Sequence, residues 1–178
     1  MTPNELAFQD MIGISEGTTT SPLTKNAGYD VIVTGIDSQG HPTPEIFTDY
    51  SHHPFATGRA PKVINSHGLT STASGKVQIL FHWWSVYQAK FHWPTFAPEF
   101  QDAYYLQILQ EQGARARLAM NDFYGALQKV SGQWASLPGK AYVAQHQHTV
   151  AQCAKWYVQQ GGTLVEPPTL NTTGAQAS

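Results

Sequence analysis

Only two short stretches of this chain read as β-strands, and from residue 75 onward it reads almost wholly as helix. Residues 29–34 (YDVIVT) are β-branched and bounded by Gly28 and Gly35, the pattern of a strand. Residues 45–50 (EIFTDY) supply its partner. The turn-rich stretch between them is longer than a tight hairpin needs and predicts an inserted loop over 35–44. A sheet this small cannot bury a core by itself, so the helices must build one. With 178 residues, 41% of them hydrophobic and 12% aromatic, the chain has the apolar material to do so as one domain. The expected class is α+β: one helix, a small antiparallel sheet, then a helical lobe, with a cleft between sheet and helices. That domain is expected over residues 1–165, with a flexible tail over 166–178.

The first helix has a strong start signal. Thr2 suits an N-cap, Pro3 the first helical position, and Glu5 completes a capping box. Leu6, Met11 and Ile14, with Phe8 and Ile12 beside them, predict its buried face through residue 15, and Gly17 stands where a left-handed cap is wanted. Residues 75–91 (GKVQILFHWWSVYQAKF) are apolar nearly all round and predict a central helix, with Trp83 and Trp84 as core. Pro98 opens a third helix that Gly113 stops, shorter helices follow near 115–120 and 122–133, and a last one is expected from Ala141 to Gln160.

Composition excludes several functions. A formal charge of -2 leaves no basic surplus for a nucleic-acid partner. No apolar run approaches the ~20 residues that span a bilayer, so no stable membrane insertion is expected. Nor does an export signal open the sequence. The one cysteine, Cys153, forms no internal disulfide, which suits a reducing cytoplasm. Eight histidines raise the thought of a metal site. However, His52-His53 and His146-Gln147-His148 do not converge on one helix face, and no His-Glu-x-x-His element occurs. No metal and no cofactor are expected. Asn171-Thr172-Thr173 forms a sequon with little meaning in a chain without a secretion signal.

Glu16 is the residue with chemistry to explain, because it closes a helix at the pole that disfavours negative charge, an effect of about 0.3–1 kcal/mol. Ionised at pH 7, an ordinary glutamate is no acid catalyst. Raising its pKa from about 4.3 to about 6 requires roughly 2.3 kcal/mol of anion destabilisation, which the helix pole and burial beneath a ligand can supply. Other carboxyls lie nearby in sequence: Asp30 and Asp49 at the predicted strands, Asp37 in the loop. Their plain reading is local hydrogen bonding at turns and strand ends.

Five segments, in order, carry a resemblance: ISEGT at 14–18, GYDVIVTG at 28–35, FTDYSHHP at 47–54, LTSTASGKVQILFHWW at 69–84 and WASLPG at 134–139. Together they resemble the lambda-type bacteriophage endolysins, lytic transglycosylases with a lysozyme-like fold, over nearly the whole chain. The resemblance implies that Glu16 is the catalytic acid and that the substrate is the β-1,4 bond between N-acetylmuramic acid and N-acetylglucosamine in peptidoglycan. It further implies a 1,6-anhydromuramoyl product, formed when the sugar's own 6-hydroxyl attacks C1 in place of water.

The same resemblance places a Gly-x-x-Gln sugar-binding element on Gly75 and Gln78, at the expected start of the central helix. Val77 stands where the family often has Tyr, and His52 where it tends to have an acidic residue. Asp49, Tyr50, Ser71, Thr72, Trp134 and Tyr142 complete the expected ligand contacts, aromatic faces meeting sugar faces and hydroxyls their edges. Implied too are the partners and setting: peptidoglycan glycan strands, a monomeric enzyme, and a holin that releases it from the host cytoplasm to the wall. Three alternatives stay open on sequence: a hydrolytic lysozyme acting on the same bond, a non-catalytic wall-binding or virion module, and a histidine-based metallohydrolase.

Overall fold

A computed structural model describes residues 1–139 and 148–165. The opening residues 141–147 of the expected last helix, Tyr142 among them, and the expected tail lie outside the described residues. Helix α1 (Pro3–Ser15) begins as its capping box predicts, with the Glu5 carboxylate accepting the Thr2 N–H at 2.7 Å and Thr2 Oγ1 accepting the Glu5 N–H at 3.2 Å. It stops at Glu16, the C-cap, and Gly17 takes the left-handed conformation (φ +73°) that reverses the chain. Ala7, Phe8, Met11 and Ile12 are fully buried, whereas Leu6, expected on the same face, is 44% exposed. Glu5 takes its place inward because Arg115 Nε donates to its Oε1 at 2.6 Å.

Strands β1 (Val31–Ile36) and β2 (Pro42–Ile46) pair antiparallel from Val31↔Ile46 to Ile36↔Pro42, with a bulge between Ile32 and Gly35. The expected loop over 35–44 is therefore half sheet, with only 37–41 left as a turn. Asp37 explains the difference: its Oδ1 accepts the N–H groups of Gln39 and His41, closing a short turn that lets both strands run further than their β-branched residues suggest. A second two-stranded sheet, β3 (Lys62–Val63) with β4 (Thr70–Ser71), lies within residues 51–74, whose Ser, Thr, His, Gly and Pro content predicts irregular chain. Its first strand lies close over β1: a Cβ added to Gly35 would stand 2.8 Å from Lys62 Cε and 3.0 Å from the Val63 carbonyl oxygen.

Residues 75–80 are not helical. Ser74 and Ile79 exchange backbone hydrogen bonds (3.0 and 2.8 Å), and the residues between them form a turn with Gly75 at φ +79° and Gln78 at φ +51°. Helix α2 (Phe81–Phe91) starts only after it. It is not the central helix either. Trp84 is its one fully buried residue, while Trp83 is 49% and Val86 54% exposed. The core forms instead between α1, α3 (Pro98–Glu111), α4 (Ala114–Ala119), α5 (Phe123–Val130) and α6 (Val150–Gln159), around Phe8, Tyr105, Leu109, Leu118, Phe123 and Tyr157. Phe8, Phe123 and Tyr157 pack as a ring triad at its centre. Helix α6 begins with a capping box at Thr149 and Gln152.

Candidate active site

The turn over 75–78 is the foundation of the site, and buried polar groups hold it. Gln101, on α3, accepts the Lys76 N–H at 3.1 Å and donates to the carbonyls of Tyr29 and Phe96, each at 3.0 Å. Its carboxamide fills the space that a side chain at Gly75 would need; an added Cβ would sit 2.1 Å from Gln101 Oε1. Lys76 is itself buried, with its ammonium 2.6 Å from Asp10 of α1 and over the ring of Tyr29. Thr18 Oγ1 lies 2.6 Å from the Lys76 carbonyl oxygen, and the Trp134 indole N–H donates to the Val77 carbonyl at 2.8 Å. Four separated segments thus fix one short turn against the end of α1.

Beside this turn opens a cleft of about 350 Å³. Glu16 lines it together with Val33 of β1, Ile64 and Leu69 of the loop between β3 and β4, Thr70 and Ser71 of β4, and Gln78, Leu80, Gln133 and Trp134. The sheet side and the helical side face each other across it. Among the described residues that line it, Glu16 is the only one with an ionisable side chain. A smaller cavity of about 270 Å³ continues past Gln78 and Trp134 toward Trp83 and Tyr104.

Glu16 is half-buried, and burial pushes its carboxyl above the ordinary glutamate range. Ser136 opposes that shift, its hydroxyl donating to Oε1 at 2.6 Å. Behind Ser136, the Ser15 hydroxyl stands 2.7 Å away, and His148 spans both partners, donating its backbone N–H to the Ser136 carbonyl (2.9 Å) and its ring Nε2 to the Ser15 carbonyl (3.3 Å). A carboxyl so placed holds its proton to higher pH than an ordinary glutamate and faces a largely apolar groove. Chemically, that arrangement suits protonation of a leaving oxygen.

Of the residues singled out in the sequence, Glu16, Ser71, Gln78 and Trp134 meet at this cleft. Thr72 stands next to it but turns its hydroxyl to the N-terminus of α2, accepting the Phe81 N–H at 3.1 Å. Gly75 makes room for Gln101, as described. Asp49 and Tyr50 are not among the lining residues: Asp49 accepts the Ser51 N–H, and the Tyr50 hydroxyl accepts from Asn26 while its ring packs on Phe47. The other nearby carboxyls are engaged elsewhere. Asp30 is buried, accepting from the Thr24 hydroxyl and the Lys25 N–H, and Asp37 closes the hairpin turn. Among the described residues no group of three or more His, Cys, Asp or Glu is arranged to hold a metal. Ser15, Ser136 and Gln133 were not singled out by sequence; Ser15 and Ser136 lie inside the segments ISEGT and WASLPG, but nothing short of the fold joins positions 121 residues apart.

The geometry agrees with what comparison with known proteins finds. The endolysin of Escherichia phage P2 is 45% identical over 159 residues, covering 89% of this chain and 93% of its own. That of Escherichia phage lambda is 38% identical over 161 residues, covering 90% and 92%. Among solved structures, bacteriophage lambda lysozyme complexed with a chitohexasaccharide superposes with a TM-score of 0.80 at 36% identity, covering 93% of this chain and 98% of that one. A second structure of lysozyme from bacteriophage lambda gives 0.76 at 34% identity, with the same coverage. The fold is therefore lysozyme-like as well as α+β. A sequence profile of the Endolysin family matches residues 6–164, from the second turn of α1 to just beyond α6, and the chain belongs to that phage family.

Proposed function

We propose that this endolysin cleaves the MurNAc-β-1,4-GlcNAc bond of peptidoglycan as a lytic transglycosylase, with Glu16 as the single acid and base. The glycan lies along the cleft between β4 and the 75–78 turn, where Ser71 and Gln78 meet its polar edges and Trp134 forms the floor. Glu16, neutral, gives its proton to the bridging oxygen as the C1–O bond breaks, and positive charge develops at the muramoyl C1. The resulting carboxylate then removes the proton from the 6-hydroxyl of the same sugar. O6 closes on C1, a 1,6-anhydro ring forms, and the glutamic acid is restored.

One observation supports this over hydrolysis: among the described residues that line the cleft, Glu16 is the only one with an ionisable side chain. A hydrolytic glycosidase ordinarily positions a second carboxylate, about 5–5.5 Å away to act as nucleophile or about 6.5–9.5 Å away to activate water. Asp30, Asp37 and Asp49, the carboxyls near in sequence, are committed to turns and strand ends. Glycan binding is consistent with the oligosaccharide in the lambda lysozyme structure. The reading extends to action as a monomer, and to storage in the host cytoplasm until a holin opens the inner membrane.

Digestion of purified sacculi, with fragment ends identified by mass spectrometry, tests it. Anhydromuramoyl ends without uptake of heavy oxygen from labelled water are expected. Reducing muramic ends carrying the label mean a lysozyme instead.

A further inference from the structure

We infer that Ser136, backed by Ser15, is a positioning residue that decides which oxygen of Glu16 carries the acid proton. The inference rests on the reading of Glu16 as the acid. Three atoms stand in line: Ser15 Oγ, 2.7 Å from Ser136 Oγ, which is 2.6 Å from Glu16 Oε1. A hydroxyl has one proton to give, and an ionised carboxylate only accepts. When Glu16 is ionised, Ser136 must therefore donate to Oε1, and Ser15 must in turn donate to Ser136. The direction of the chain is fixed.

That direction matters at the next protonation. Oε1 is occupied as the acceptor of the Ser136 hydroxyl, so the proton taken from the sugar hydroxyl settles on Oε2, the oxygen that hydroxyl does not engage. The carboxyl then offers its proton to the next glycosidic oxygen without first rotating or breaking a buried hydrogen bond. Placing the proton on Oε1 would require both serine hydroxyls to turn. The backbone keeps the row in place, since His148 ties the carbonyls of Ser15 and Ser136 together through its ring and its N–H. Among the described residues around it, the cleft lining brings no second ionisable group to Glu16, His148 is the titratable group beyond the serines, and the Lys76 ammonium on the adjoining turn is paired with Asp10.

Ser136→Ala, Ser136→Thr, Ser15→Ala and Glu16→Gln, assayed on sacculi across pH, test the assignment. Loss of the Ser136 donor is expected to lower kcat about ten-fold, the worth of one hydrogen bond to a charged group, with KM unchanged. Because that donor favours the anion, its loss raises the Glu16 pKa and moves the alkaline limb of the pH–rate profile upward. Ser136→Thr restores both the rate and the limb, and Ser15→Ala shifts the limb the same way by less. An unmoved limb in Ser136→Ala, or in Ser15→Ala should Ser136→Ala fail to fold, overturns the assignment while an inactive Glu16→Gln leaves the acid in place. An active Glu16→Gln overturns both.

Discussion

On the proposed reading, Glu16 serves proton transfer at the expense of the fold. Burial raises its pKa above the ordinary glutamate value, so the folded chain binds that proton more tightly than the unfolded one does. The stability this gives is fully present below the unfolded pKa and is lost as pH rises through the folded one. Glu16→Gln should therefore melt at a higher temperature than the wild type at pH 7 and at the same temperature at pH 3, while lysis is abolished and glycan binding retained. Equal melting temperatures at both pH values would mean that the site does not strain the carboxylate. His53 has the opposite history. Buried between Phe55, Phe81 and Phe96, with Nε2 donating to the Ile79 carbonyl and Nδ1 accepting the Phe55 N–H, it must stay neutral, and burial lowers its pKa to about 4. The unfolded chain takes up this proton near pH 6.5, so stability falls between pH 6.5 and about 4, by at most about 3 kcal/mol. Denaturation at pH 7 and pH 5 should show about 2 kcal/mol of that loss in the wild type, and a smaller one in His53→Gln.

At the scale of elements, the 75–78 turn separates what sequence reveals from what it hides. The start and stop of α1 are legible because capping box and glycine are local signals, and Glu16 is found at the C-cap on that ground alone. The apolar run over 75–91 misleads because apolarity says that residues are buried, not in which backbone conformation; Val77 and Ile79 are core, but as parts of a turn. What holds the turn open is Gln101, 25 residues on from its partner Lys76, and a bond of that span leaves no local trace. Gly75→Ala should thus be far more damaging than Gly58→Ala. Both glycines have positive φ (+79° and +83°), but only at Gly75 does the new Cβ meet an atom, Gln101 Oε1. Chemical denaturation should find roughly 1 kcal/mol lost at Gly58 and at least twice that at Gly75. The ion pair below the turn offers a second test. Asp10→Ala leaves a buried ammonium without its carboxylate, which costs about 3–5 kcal/mol, and Lys76→Met in the same chain should recover most of it. A double variant no more stable than Asp10→Ala would show that Lys76 works through something other than its charge.

The whole molecule has one thiol, and it sits in the middle of the helical core. Cys153 is fully buried and its pKa is pushed up to about 11, so it is neither exposed nor ionised at neutral pH. Labelling by a thiol reagent in native buffer should be as slow as unfolding itself and should become immediate in denaturant; rapid labelling without denaturant would reveal a local opening of α6. The core and the cleft share another trait. Glu16 takes its hydroxyl partner from residue 136, the 75–78 turn takes its indole support from Trp134, and α1 packs on α6. A ribosome must consequently translate past residue 136 before the acid has its groove, and any polypeptide stalled or proteolysed short of that point is inert toward the cell that is making it.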